Sequence, residues 1–138
     1  MSTNSRIGIE QEDGSVKSIY CHWDGHVETN GKCLMEHFSD PTKAAELIKL
    51  GDISALCSKL STDQPHSFST PADGVTIAYH RDRGEDKKIS QTKTVTRYFE
   101  TSCEPYVYML TQEGEWICKI PNWPSIVTVH DALSEIEI

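Results

Sequence analysis

The stretch Ser18-Ile19-Tyr20-Cys21-His22-Trp23-Asp24-Gly25-His26 is the feature from which the rest of the chain is interpreted. Its first half is an apolar run typical of a strand, and its second half is a cluster of polar, ligand-capable side chains. An amphipathic segment follows this cluster. A strand that ends in such a cluster just before a helix holds functional side chains on a rigid element. We therefore expect a site at the end of this strand.

The residues upstream predict a β-hairpin. Residues 6–10 alternate as a short strand, Asp13-Gly14 is a strong turn signal, and residues 16–22 form the return strand. Side chains alternate between the two faces of a strand. One face of the return strand should therefore carry Val16, Ser18 and Tyr20, and the other Lys17, Ile19 and Cys21.

Downstream, we expect a loop over residues 23–30 and then two short helices. Asp40 and Pro41 suit the cap and the first position of the second helix, and Gly51 suits its left-handed end. We expect residues 50–56 to form a tight turn into a short helical or irregular piece.

The second half of the chain alternates between apolar runs and polar segments. We predict strands over residues 75–79, 106–110 and 116–120, an extended segment over 126–129, and a C-terminal helix capped by Asp131. Residues 80–88 read as a charged loop, and residues 90–101 fit either an exposed strand or a weak helix. We expect residues 61–73 and 81–104 to be rich in loops.

These elements predict one domain over residues 1–138, without an internal repeat or a long linker. The expected fold is α+β, with a mostly antiparallel sheet of about five strands and two or three helices packed on it.

The composition limits the class of partner. The net charge is -8, from 21 acidic and 13 basic residues, so general binding to nucleic-acid backbones is not expected. An acidic surface is compatible with docking onto a basic protein or with simple solubility. There is no long apolar run, so we expect no membrane contact, and the polar N-terminus predicts no secretory signal. Five scattered cysteines indicate reduced thiols in the cytoplasm.

Four segments carry a resemblance to a family of small proteins of tailed bacteriophages and mobile elements. They are Ser5-Arg6-Ile7-Gly8-Ile9-Glu10, Tyr20-Cys21-His22-Trp23-Asp24-Gly25, Leu50-Gly51-Asp52-Ile53-Ser54 and Tyr79-His80-Arg81-Asp82-Arg83-Gly84-Glu85. The resemblance covers roughly residues 5–85, with a weaker echo between Tyr106 and Trp116. It implies an accessory protein of host takeover or counter-defence, acting in the cytoplasm of an infected bacterium. His26 departs from the family pattern, which often has an aromatic residue there, and residues 86–104 match nothing in it.

Two kinds of chemical site are weaker interpretations. A zinc site would use His22, His26, Cys33 and His37, but satisfied or solvated histidines explain these residues as well. A thiolate–imidazole pair would join Cys21 or Cys33 to His22 or His80, with Asp24 or Asp82 as orienting group. Neighbours in a strand point to opposite faces, so Cys21 and His22 cannot form one dyad. We expect no metal, no other cofactor and no catalytic residue.

The segment around Arg81 and Arg83 favours ligand binding, because arginines contact phosphate or carboxylate groups bidentately. Gly84 would let backbone amides approach an anion. Surface ion pairs with the neighbouring acids are the competing interpretation. The candidate ligand-binding residues are Tyr20, His22, Trp23, Asp24, His80, Arg81, Arg83 and Glu85.

We therefore expect a non-catalytic binding module for a small anionic, nucleotide-like ligand or for a host protein. The alternative is a small metal- or Cys/His-dependent hydrolase of a phosphorylated compound, so whether the protein is an enzyme stays open. A homodimer is compatible with a small sheet of this kind.

Overall fold

The computed structural model describes residues 3–136, so the first two and last two residues of the predicted domain lie outside it. In this part of the chain, eight strands form one sheet. The strands are β1 (Ser5–Glu10), β2 (Val16–Cys21), β3 (Ile53–Ala55), β4 (Ile77–Ala78), β5 (Ser90–Thr92), β6 (Tyr106–Leu110), β7 (Trp116–Lys119) and β8 (Val127–Thr128). The helices are α1 (Lys32–His37), preceded by a π-helical turn (Val27–Gly31), α2 (Pro41–Lys49), α3 (Tyr79–Arg83), α4 (Val95–Thr101) and α5 (Val129–Ile136).

The sheet has the order β4-β3-β2-β1-β6-β7-β8, and β5 also pairs with β2. The predicted α+β class is confirmed. The predicted size of about five strands is too small, and the sheet is mixed, because β1 runs parallel to β6 and β2 runs parallel to β3. Strands of two or three residues, such as β3, β5 and β8, are too short for a periodic pattern to reveal them.

Helices cover both faces of this sheet. Ile19 and Cys21 belong to the larger core, which α1, α2 and α5 cover, whereas Val16 packs with Tyr98 of α4 in a smaller core. The predicted hairpin and the predicted division of β2 into two faces are confirmed. Gly8 permits the close approach of α4, because a Cβ there would lie 2.9 Å from the Tyr98 ring.

Several predicted elements need correction. Residues 50–56 contain β3, and the strand predicted over 75–79 is reduced to β4, because Tyr79 already begins α3. Residues 81–104 hold β5, α4 and the end of α3, so this interval is more regular than expected, whereas residues 61–73 contain no helix or strand. The segment 90–101 is a strand followed by a helix, rather than one or the other.

Caps were predicted well at α2 and wrongly at α5. Asp40 accepts a hydrogen bond from the Thr42 amide at 2.9 Å, and Gly51 has a φ of 77°. At α5 the capping acceptor is Thr128, whose Oγ1 accepts from the Asp131 amide at 3.0 Å. Within residues 3–136, no helix has the length and apolar character needed to cross a bilayer.

Candidate functional site

A pocket of about 300 Å³ lies beside the end of β2, between the turn after α2 and the segment that contains α3. We call it the Tyr20 pocket. It is lined by Tyr20, Asp52, Tyr79, Arg83, Glu85, Asp86 and Lys88. Three of the eight predicted ligand-binding residues, Tyr20, Arg83 and Glu85, therefore meet in one place.

The pocket lies at a gap in the strand pairing of β2. β5 pairs only with residues 16–18, and β3 joins β2 only at Cys21. The Tyr20 amide between these points donates to Asp52 Oδ1 at 2.9 Å. A buried backbone donor needs a partner, so the Asp52 carboxylate takes the place of the missing strand.

Backbone hydrogen bonds tie the walls of the Tyr20 pocket together. The Asp52 amide donates to the Lys88 carbonyl at 3.0 Å, and the Tyr79 amide donates to the Asp52 carbonyl at 3.3 Å. The Glu85 amide in turn donates to the Tyr79 carbonyl at 3.2 Å. Gly51 is required at the base of this arrangement, because a Cβ there would lie 3.0 Å from the Lys88 nitrogen. The pocket is thus formed by linked backbone segments rather than by side chains alone.

Arg83 is held over two aromatic rings. Its guanidinium carbon lies 4.4 Å from the ring centre of Phe68 and 4.9 Å from that of Tyr79. Glu85 pairs with the same guanidinium. These contacts restrain the Arg83 side chain, so it loses little conformational entropy when it binds a ligand. The side chain is still 49% exposed and therefore accessible to a ligand.

The charges that line the pocket are of both signs. Asp52 is engaged with the Tyr20 amide and Glu85 with Arg83. Across residues 3–136, no side-chain hydrogen bond or ion pair engages the charged groups of Lys88 and Asp86. The pocket therefore offers one uncommitted cation and one uncommitted carboxylate beside two tyrosine rings.

His22 and Trp23 continue from Tyr20 along the end of β2. The Tyr20 hydroxyl and His22 Nδ1 are 2.8 Å apart, and the Trp23 ring lies edge-on to the His22 ring at 4.8 Å between centres. Burial raises the pKa of the Tyr20 hydroxyl, so this hydroxyl stays protonated at neutral pH. Asp24 follows in an exposed turn with a φ of 59° and is not part of the pocket lining.

Arg81 is turned away from the Tyr20 pocket. It donates to the carboxylate of Asp82 and to the carbonyls of Leu60 and Thr76. Its role in the structure is to fasten residues 60–76 to α3. His80 also makes an internal contact, since its Nδ1 lies 2.7 Å from the Glu85 carbonyl oxygen. Of the two predicted arginines, only Arg83 lines the pocket.

The alternative metal site is not assembled. Among residues 3–136, no three His, Cys, Asp or Glu side chains come together as metal ligands. His26 packs instead against Tyr106 at 5.3 Å between ring centres, and His22 packs between Tyr20 and Trp23. The four residues predicted for this alternative, His22, His26, Cys33 and His37, therefore do not form one cluster.

The cysteine–histidine alternative also lacks the necessary geometry. Burial raises the pKa of the Cys21 thiol to about 11 and that of the Cys33 thiol to about 11, so neither supplies a thiolate near neutral pH. Asp82 contacts a different histidine, His66, at 3.2 Å. The other nitrogen of His66 accepts from the Ala72 amide at 3.0 Å. Nδ1 of His66 is thus engaged, whereas Nε2 is buried beside the Asp82 carboxylate without a hydrogen-bond partner among the described residues.

Sequence reasoning missed four residues of the pocket lining, namely Asp52, Tyr79, Asp86 and Lys88. Of these four residues, Asp52 was the easiest to predict from the sequence, because a carboxylate directly after a helix-ending glycine lies at a defined turn. Nothing in the local sequence indicates that Lys88 returns to meet it. Comparison with protein-family models, with curated proteins and with solved structures finds no match to this chain.

Proposed function

We propose that the protein is a non-catalytic binding module that takes a small anionic, nucleotide-like ligand in the Tyr20 pocket. The observation that carries the proposal is the meeting of two tyrosine rings, an arginine, a lysine and three carboxylates within one pocket whose walls are joined by backbone hydrogen bonds. Its volume of about 300 Å³ is at the lower end of the range for small-molecule sites.

Each part of a nucleotide has a matching group. The rings of Tyr20 and Tyr79 suit stacking against a base. Arg83 and Lys88 suit a phosphate, because charge-assisted hydrogen bonds to oxyanions are the stronger ones. The carboxylate of Asp86 can accept from amino or hydroxyl groups. A ligand that carries a ring, hydrogen-bond donors and a phosphate can contact both the cations and the carboxylates of the pocket, whereas a simple anion contacts only the cations.

The biological setting follows the resemblance to phage proteins, and we propose an accessory role in the cytoplasm of an infected bacterium. Capture of a small nucleotide-derived signal would be one such role. Docking onto a host protein is the second candidate, and the net charge of -8 favours a basic partner. The hydrolase alternative has less support, because burial raises the pKa of the Cys21 and Cys33 thiols and because Nδ1 of His66 already accepts from the Ala72 amide.

The test is a thermal-shift and calorimetric titration of the purified protein with the four ribonucleoside monophosphates. We expect at least one to raise the melting temperature, because a ligand that binds only the folded state stabilises it. Lys88→Ala should weaken binding roughly tenfold, since one charge-assisted contact contributes about 1.5 kcal/mol. Lys32→Ala, which removes an exposed lysine of α1, is the matched control and should bind as the wild type does.

Two results would contradict the proposal. The first is an unchanged melting temperature with all nucleotides and with bacterial extract. The second is conversion of the bound nucleotide to a product, measured by chromatography after incubation, which would favour the hydrolase.

A further inference from the structure

Trp23 is an unusually exposed aromatic side chain beside the Tyr20 pocket. Among residues 3–135, the large hydrophobic side chains that stand exposed are Trp23 at 44%, Ile89 and Ile126, so Trp23 is the aromatic one. Exposed aromatic rings of this size are typical of contact sites, because they bury much apolar area on binding.

The backbone of Trp23 is fixed from both sides. Its amide donates to the Ser54 carbonyl at 2.9 Å, and its carbonyl accepts from Asn30 Nδ2 at 3.0 Å. The next residue, Asp24, has a φ of 59°, and its carbonyl accepts from the Asn30 amide at 3.1 Å. Asn30 itself is 2% exposed. A ring on such a turn is preorganised and loses little conformational entropy when a ligand covers it.

His22 connects Trp23 to the pocket. Its ring centre lies 4.8 Å from that of Trp23 and 6.1 Å from that of Tyr20. Its Nδ1 is engaged with the Tyr20 hydroxyl, while Nε2 has no hydrogen-bond partner among the described residues. A continuous series of rings therefore leads from the pocket to the exposed indole, with one imidazole nitrogen available between them.

We infer that Trp23 forms a second base-stacking subsite and that the ligand class is a dinucleotide rather than a mononucleotide. This inference rests on the proposed function. One base and its phosphate occupy the Tyr20 pocket, the second base stacks on the indole of Trp23, and His22 Nε2 lies near the linkage. The net charge of -8 favours a short ligand over a longer oligonucleotide, because each further phosphate would be repelled by the acidic protein surface.

The experiment compares the best-binding mononucleotide with the 5′-phosphorylated dinucleotide of the same base, by calorimetry and by tryptophan fluorescence. We expect the dinucleotide to bind roughly 5- to 100-fold more tightly, as one additional stacked base provides. Trp23→Ala should reduce the affinity for the dinucleotide to that for the mononucleotide and should leave the mononucleotide affinity unchanged. Quenching of fluorescence by the dinucleotide should disappear in the same variant.

Trp123→Phe is the matched control, because Trp123 precedes β8 at the far side of the sheet from β3 and should affect neither ligand. Equal affinities for the two compounds, with no effect of Trp23→Ala, would overturn the second subsite and leave the proposed function standing. Equal weakening of both ligands by Trp23→Ala would also overturn it. Absence of binding by either compound to the wild type would remove the proposed function itself.

Discussion

At the scale of single residues, Asp82 shows how one buried carboxylate organises its surroundings. Its side chain is 4% exposed and accepts from Arg81 and from the Ala78 amide at 2.8 Å, and His66 lies 3.2 Å away. Burial opposes ionisation of Asp82, but the hydrogen bonds from Arg81 and from the Ala78 amide, together with the nearby His66 ring, outweigh it and lower its pKa. Asp82 thus joins α3 to residues 60–76, a role that its position in a charged run did not predict.

This lowered pKa predicts a dependence of stability on pH. Since the pKa of Asp82 is lower in the folded than in the unfolded state, its contribution is present above the unfolded value and is lost as pH falls through the folded one. The free energy of unfolding should therefore fall below about pH 4 in the wild type and less steeply in Asp82→Asn. Urea unfolding at pH 5 and pH 2.5 measures this difference. Asp63→Asn, at an exposed position, should follow the wild type, and an equally steep fall in Asp82→Asn would refute the assignment.

At the scale of elements, α2 is defined by signals within its own sequence, whereas α3 is not. Asp40, Pro41 and Gly51 mark the limits of α2 by local hydrogen bonding and backbone geometry. Residues 75–79 have the β-branched pattern of a strand, yet Tyr79 begins a helix. The side chain of Asp82 accepts from the Ala78 amide and turns the chain there. This bond spans only four residues, but Asp82 is itself bound by Arg81, which also donates to the Leu60 carbonyl, and it lies beside His66. Contacts with residues 60–66 therefore support the helical turn against the local preference.

The cap of α2 allows a quantitative prediction. Asp40→Ala should lower the free energy of unfolding by about 1 kcal/mol, because the Thr42 amide loses its acceptor. Asp40→Ser keeps a side-chain oxygen at the same position and should lose much less. Chemical denaturation monitored by circular dichroism compares the two variants. An equal loss in both would indicate that the carboxylate acts through charge rather than through the hydrogen bond.

At the scale of the whole molecule, the sheet and its helices decide which thiols can react. Cys21 and Cys118 are both 0% exposed in the larger core. Burial raises the pKa of Cys21 to about 11 and that of Cys118 to about 12. Cys103, in the segment between α4 and β6, is exposed. The positions of the cysteines along the sequence do not indicate which thiols are buried and which are exposed.

A thiol reagent should distinguish these classes. At pH 8 the folded protein should react first at Cys103, whereas Cys21 and Cys118 should react only after unfolding, because a reactive thiol must be accessible and ionised. Mass spectrometry of the labelled peptides identifies each site over time. Cys103→Ser should remove the fast phase and leave the thermal stability unchanged. Early labelling of Cys21 in the folded protein would contradict the packing of the core.

The limits of prediction follow from the range of the interactions involved. The first hairpin was predictable because its alternation and its Asp-Gly turn act between near neighbours. β3 and β5 were not, since three residues carry no period and their pairing partners lie far along the chain. Tyr20, Arg83 and Glu85 were predicted as site residues because they lie in polar clusters that are visible in the local sequence. Asp52 and Lys88 were missed because they join the pocket only through contacts between distant segments.

The sequence by itself determined the α+β class, the hairpin around Gly14, the limits of α2 and the polar cluster that ends β2. These features depend on side-chain periodicity, turn residues and capping, which act over a few residues. Only the tertiary structure decided that the edge of β2 toward β3 and β5 lacks a strand partner at Tyr20, that Asp52 fills this gap, and that Arg83 rather than Arg81 lines the pocket. Those outcomes depend on which backbone donors remain unpaired after distant strands have met, and only the assembled sheet determines that.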